Sequence, residues 1–263
     1  MTRPTVLILR AAGTNCDEEL AFAFESAGAL PEKVHINRIV SGEKRLADYA
    51  MIGIPGGFTY GDDIAAGRAL GNELANRIGD DLRAFVSAGK PVIGICNGFQ
   101  VLVNTGLLPG PDANGTIRTA TLTDNESGRF EDRWTTLRVE PSHCLWTRGL
   151  AGRVVLFPSA HAEGKFLCKT DVDLDVIEKA GQVAFRYAAA DGGEPNGYPD
   201  NPNGSPKNIA GVCNAAGNVL GLMPHPERHV LGVQHPHWTR SPSGPSERGD
   251  GFALFVNAVE YVR

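Results

Sequence analysis

Three short apolar runs set the strongest limit on how this chain can fold. They are "TVLILR" at 5–10, "YAMIGIPGG" at 49–57 and "PVIGI" at 91–95, and each leads into a glycine-bearing turn. Between the first two, Leu20, Ala23, Phe24 and Ala27 recur at helical spacing up to Gly28, and "KVHINRI" reads as a further strand. Residues 64–88 read as one long helix closing at Gly89, and another helix is expected from about Asn97 to Leu108. Strands alternating with helices in this way pack as a parallel sheet covered on both faces.

From Thr116 the rhythm changes. "TIRTATLTDNESGRFEDRWTTLRVE" holds two β-rich runs around a polar turn, and "RVVLFPSA" and "QVAFRYAAA" continue as short strands, so an antiparallel β extension is expected. "DGGEPNGYPDNPNGSP" is a loop by its density of Gly, Pro, Asn and Asp. "NIAGVCNAAGNVLGLM" reads as a hairpin turning at "NAAGN", a polar loop covers about 235–250, and "GFALFVNAVEYV" closes the chain as a helix. No internal repeat or domain boundary is visible, so residues 1–263 are expected to form one domain.

At 263 residues and 42% hydrophobic, the chain can bury a large core without staples. Its formal net charge of −5 offers no basic stripe for nucleic acid or an anionic membrane. No run approaches the roughly 18 apolar residues of a membrane span. The apolar run of "MTRPTVLILRAAG" is too short for a signal peptide, so the cytoplasm is the expected location. The five cysteines form neither a C-x-x-C pair nor an even disulfide framework, and read as reduced thiols.

One of those thiols stands out. In "GICNGFQ", Cys96 ends a strand and opens a helix, with glycines two residues away on both sides. A sharp strand-to-helix turn holds a nucleophile proud of the sheet edge, and the crowded backbone there demands small neighbours. The positive end of the helix dipole favours thiolate, and the first helical N–H groups, Asn97 among them, are free to bind a developing oxyanion. Taken alone, a free cysteine is more often a small buried hydrophobe.

A cysteine nucleophile needs a base, and "MPHPER" supplies one. Pro226 biases His225 away from the helical region, so "HPE" is expected to be extended, with Glu227 on the same side as His225 and able to orient it. That is triad logic in a Cys-His-Glu version. His225, His229, His235 and His237 lack metal-ligand spacing, so no metal is expected. No phosphate-binding G-x-x-x-x-G-K-[ST] loop occurs.

The combination of "GICNGFQ", "MPHPER" and "IPGGFTYGDDIAAGRAL" resembles the class I (triad) glutamine amidotransferases. With "GTNCDEE", "HAEGKF" and "NPNGSPKNIAG", the chain is similar more narrowly to the glutaminase subunits of phosphoribosylformylglycinamidine synthase. The resemblance implies an α/β, flavodoxin-like, mostly parallel sheet with helices on both faces. It also implies hydrolysis of the glutamine side-chain amide, with Cys96 as nucleophile, His225 as base and Glu227 as its orienting group. The N–H groups of Gly57 and Asn97 match the family's oxyanion donors, with Gly56 beside them. Gln100 matches a position that contacts substrate glutamine. His161 and Glu163 fall in a substrate-binding loop, without an assigned contact. Asn15 and Cys16 match a motif at the first strand-to-helix turn, where Cys16 is far less supported as nucleophile than Cys96.

By the same resemblance the ammonia passes to a synthetase subunit that uses ATP and Mg2+, with a small third subunit in some complexes. No cofactor is expected in this chain itself. Two other readings share the sequence: a stand-alone γ-glutamyl hydrolase, and a catalytically silent regulatory subunit.

Overall fold

The computed structural model describes residues 2–111, 118–240 and 247–263. The first residues of the run beginning at Thr116, and residues 241–246 of the 235–250 loop, lie outside the described residues.

The first half follows the expected alternation. Strand β1 (Thr5–Arg10) leads to helix α1 (Asp17–Ser26), then β2 (Leu30–His35), helix α2 (Ile36–Val40) and β3 (Met51–Ile54). Helices α3 (Arg68–Arg77) and α4 (Gly79–Ser87) precede β4 (Val92–Ile95) and α5 (Asn97–Thr105). The second half contributes β5 (Ala120–Thr123), β6 (Glu131–Val139), β7 (Val154–His161), β8 (Lys165–Cys168), α6 (Asp171–Lys179) and β9 (Val183–Tyr187). Then come the antiparallel pair β10 (Ile209–Cys213) and β11 (Val219–Leu222), joined by the predicted turn, and the closing helix α7 (Phe252–Tyr261).

Nine strands form one sheet in the order β2-β1-β3-β4-β11-β10-β9-β6-β7. The first five are parallel neighbours in the flavodoxin-like order, and the remaining pairings are antiparallel. The register shows that helices cover both faces. Gly53 pairs with Ile93 and Ile54 with Gly94, so Gly53 and Gly94 face opposite sides. Gly53 lies under Leu20 and Phe24 of α1, whereas Gly94 lies under Gly98 and Leu102 of α5. On the α1 side, Phe24 packs edge-on against Phe255 of α7 with ring centroids 5.1 Å apart. On the α5 side, Phe99 stacks on Phe166 at 5.9 Å.

Three local readings change. The helix expected over 64–88 is two helices that begin only at Arg68, after Gly67 in the left-handed region, and break at Ile78 (φ −137°, ψ 18°). Ile78 turns its side chain into the core, and Asp80 and Asp81 complement the new N-terminus of α4. "KVHINRI" is half strand and half helix, because the His35 ring accepts the Asn37 N–H and turns the chain. The antiparallel extension expected after Thr116 is present, and its two β-rich runs pair with other strands instead of with each other. β5 pairs with β8 in a separate two-stranded sheet, and β6 joins β7 and β9. The cause is Asn125 in the intervening turn, which bonds the backbone of His161, Ala162 and Gly164 and ties β5 to the β7–β8 turn. Helix α6 was not anticipated, although Thr170 and Asp173 form a capping box at its start.

The turn from β4 to α5 is the tightest packing in this framework. A Cβ on Gly98 would lie 1.9 Å from the Ile54 carbonyl oxygen, and one on Gly94 would lie 2.4 Å from the Gly98 carbonyl oxygen. Backbone is in the way at both positions, so no rotamer change relieves the clash. Gly98→Ala is expected to cost at least about 1–3 kcal/mol of folding stability, as overpacked sites do. Urea denaturation measures this; an unchanged midpoint would show that the β3–α5 contact yields easily.

Candidate active site

Every strand in the parallel half except edge strand β2 delivers a site residue from its C-terminal end, where ligands bind in open α/β sheets. β1 leads to Asn15 and Cys16, β3 to Gly56 and Gly57, β4 to Cys96, and β11 to His225. The antiparallel half adds His161 at the end of β7 and Glu163 in the turn that follows.

Cys96 has φ 53° and ψ −109°, a strained conformation for a side-chain-bearing residue. Its N–H is held by the Leu222 carbonyl at 2.9 Å, and its sulfur lies 3.6 Å from the Ala160 carbonyl oxygen. Asn97 is the first residue of α5, so its N–H has no partner within the helix. The Gly56 carbonyl accepts the N–H groups of Asn15 and Cys16 at 3.4 and 3.2 Å. A trans peptide points its two polar groups in opposite directions, so this bond turns the Gly57 N–H away from α1. Gly57 has φ 145° and sits against the Gly13 carbonyl, which a Cβ would approach to 2.6 Å. Only glycine fits there.

His225 and Glu227 are both 1% exposed, and their side chains meet at 2.6 Å between Nδ1 and Oε1. The contact forms by a different route from the one expected. His225 is extended (φ −103°, ψ 91°), but Pro226–Arg228 is a 3-10 turn that brings Glu227 back under the ring. His225 Nε2 and Glu227 Oε2 are buried without a hydrogen-bond partner. Burial works against charge on His225, yet the Glu227 carboxylate, with the Cys16 and Cys96 thiols nearby, outweighs it and holds its pKa well above the usual imidazole range. His161 behaves oppositely: burial, then repulsion from His225, press its pKa down to about 3. Its Nδ1 is bonded to Asn125 Oδ1 at 3.0 Å, and its Nε2 is a second buried, unpartnered nitrogen.

Gln100 and Glu163 belong to one bonded network. Gln100 Nε2 donates to the Glu163 carbonyl oxygen at 2.6 Å, and Gln100 Oε1 accepts from Asn97 Nδ2 at 3.0 Å. Asn97 Nδ2 also donates to Asp62, while Asn97 Oδ1 accepts the Thr59 hydroxyl at 2.6 Å. Glu163 Oε2 accepts the Ala66 N–H at 3.1 Å. The glycine-rich segment 57–67 is therefore fastened to α5 and to the β7–β8 turn. Thr59, Asp62 and Asn125 were not singled out from sequence, because short polar residues in turns carry no spacing signal. Cys16 is 2% exposed, bonds Asn15 Oδ1 at 3.1 Å, and receives the Arg228 guanidinium at 3.0 Å. His229 and His235 pack against Trp134 at 5.1 and 4.7 Å instead of joining His225.

A thiol at a strand-to-helix elbow, close to an imidazole backed by a carboxylate, is an arrangement suited to nucleophilic catalysis. A model of the CobB/CobQ-like glutamine amidotransferase domain matches residues 3–262, and the chain belongs to that family. It is 47% identical to phosphoribosylformylglycinamidine synthase subunit PurQ of Dehalococcoides mccartyi, over 100% of this chain and 99% of the relative. It is 49% identical to subunit PurQ of Treponema denticola, over 87% and 89%. Among solved structures it is similar to that of PurLQS from Thermotoga maritima, with a TM-score of 0.75 and 30% identity over the whole of both chains.

The opposed histidines give a pH signature. Folding raises the His225 pKa, so the stability His225 contributes is present below about pH 6.5 and is lost as pH rises through its folded value. His161 carries a depressed pKa, so its contribution is present above about pH 6.5 and declines as pH falls toward 3. Imidazole NMR titration should place the His225 midpoint above, and the His161 midpoint below, that of an ordinary imidazole. In Glu227→Gln the His225 midpoint should fall; an unmoved midpoint would remove Glu227 as the source of the shift.

Proposed function

We propose that this chain is the glutaminase subunit of a phosphoribosylformylglycinamidine synthase, and that it works as one domain. Cys96 attacks the carboxamide carbon of glutamine, and the oxyanion is received by the N–H groups of Gly57 and Asn97. His225 takes the thiol proton and delivers it to the departing ammonia, with Glu227 holding the ring in register. Water then attacks the γ-glutamyl thioester, with His225 again as base, releasing glutamate. Gln100 and Glu163 shape the glutamine pocket through the bonds that fix segment 57–67. The observation that carries this reading is the buried His225–Glu227 pair beside a strained Cys96 at the strand ends.

The ammonia is consumed by a synthetase subunit that converts formylglycinamide ribonucleotide to its amidine, a reaction whose ATP and Mg2+ belong to that partner. A small third subunit completes the complex, which works in the cytoplasm. Full-length similarity to PurQ subunits and to a PurLQS structure supports this assignment. No helix among the described residues is long and apolar enough to cross a membrane.

Glutamate release should be weak with this protein alone and rise strongly with the synthetase, ATP, Mg2+ and formylglycinamide ribonucleotide. Equal release in both mixtures would indicate a stand-alone γ-glutamyl hydrolase, and none in either a silent subunit. Cys96→Ala should lower glutamine-dependent synthesis by at least about 10³-fold, the order seen when a nucleophile is removed. Synthesis from added ammonium salt should survive; its loss would break the channelled-glutaminase reading.

A further inference from the structure

Two cysteines that the mechanism above does not use lie together at the end of the sheet opposite to the active site. Cys213 ends β10, and the turn after it leads into β11, whose far end carries His225. The segment that follows β6 runs along that turn. The Leu145 N–H donates to the Gly217 carbonyl at 2.9 Å, and the Trp146 indole N–H donates to the Asn218 carbonyl at 3.2 Å. His143 Nε2 lies 3.2 Å from the Asn214 carbonyl oxygen and 3.9 Å from Cys213 Sγ. A carbonyl only accepts, so Nε2 carries a proton at this contact. Cys144, between His143 and Leu145, is thereby held against the end of β10, where its thiol meets that of Cys213.

The two thiols have different surroundings. Cys144 opens the 3-10 turn Leu145–Thr147, with the N–H groups of Trp146 and Thr147 near its sulfur. Burial works against a thiolate there, yet the Cys213 thiol and those N–H groups outweigh it and hold the Cys144 pKa below the usual thiol value. Cys213 is pushed the other way, first by its contact with Cys144 and then by burial, so it keeps its proton. Cys144 also lines an open hollow of about 640 Å³ together with Ser142, Gly181 and Tyr261. Only 1% of Cys144 is exposed on that wall, which favours a small oxidant over a bulky disulfide. A readily ionised thiol beside a second, resolving thiol is the arrangement of redox-sensing cysteines.

We propose that Cys144 and Cys213 are a redox-sensitive dithiol that hydrogen peroxide converts to a disulfide. The Cys144 sulfur attacks one peroxide oxygen, the O–O bond breaks, and the departing hydroxide leaves as water with the proton that Cys144 gave up. Cys144 is then a sulfenic acid. The Cys213 sulfur attacks the Cys144 sulfur, the S–O bond breaks, and hydroxide leaves as a second water with the Cys213 proton. The two thiols lose two electrons and the peroxide gains them. The bridge ties the β10–β11 turn to the segment after β6, and it is independent of the glutaminase reading.

The test uses the full chain carrying Cys96→Ala, which removes the active-site thiol as a competing target. After dilute hydrogen peroxide and alkylation of the remaining thiols, peptide mass mapping should find Cys144 cross-linked to Cys213 within one chain. Free thiols should fall by two per chain, and a phosphine should restore them. Adding Cys213→Ser should stop the reaction at a sulfenic acid that dimedone traps on Cys144. Adding Cys144→Ser should leave Cys213 unoxidised. Both variants are checked for folding by circular dichroism, and the cross-link map of the parent chain does not depend on them. A map without the Cys144–Cys213 bridge, or one in which Cys16 or Cys168 takes the place of either partner, would overturn the proposal.

Discussion

The approach of α5 to β3 is the contact on which the active site depends. With Gly98 pressed on the Ile54 carbonyl and Gly94 under Gly98, the chain leaves β4 with no slack, and Cys96 must take a positive φ to start the helix. The same contact sets the nucleophile beside the end of β3, so Gly56 and Gly57 come to it without any further device. A single methyl group at Gly98 would push α5 outward and separate the sulfur from both the glycine loop and His225.

Around this elbow the protein pays for burying charge with specific partners. Asp62 and Glu163 accept backbone N–H groups in the segment that lines the site, and Asn97 and Gln100 have both ends of their amides bonded. His225 and Glu227 neutralise each other in a place water does not reach, where an unpaired charge of either kind would be strongly unfavourable. His161, with no carboxylate of its own, stays neutral. Two imidazoles in one pocket are thus pushed in opposite directions by what each faces, so that His225 takes a proton more readily than His161.

Much of this was legible in the sequence. The three apolar runs with glycine-bearing turns are strands of the parallel half, since a strand followed by a forced turn is a local property. The pairing of "GICNGFQ" with "MPHPER" was also legible, although the extended tripeptide expected around His225 is a 3-10 turn. What was not legible is what a distant residue decides. The break at Ile78 depends on its side chain entering the core, and the partner of β5 depends on Asn125 reaching the β7–β8 turn.

By itself the sequence determined the class of chemistry, because the glycines flank the thiol and the carboxylate stands two residues from the imidazole, local offsets that can be counted along the chain. Tertiary structure decided which groups share the site. Cys16 and His225 are 209 positions apart, and only the parallel order of β1, β3, β4 and β11 brings their strand ends to one edge. Sheet order is set by burial of apolar faces across the whole domain, and no local stretch of sequence contains that information.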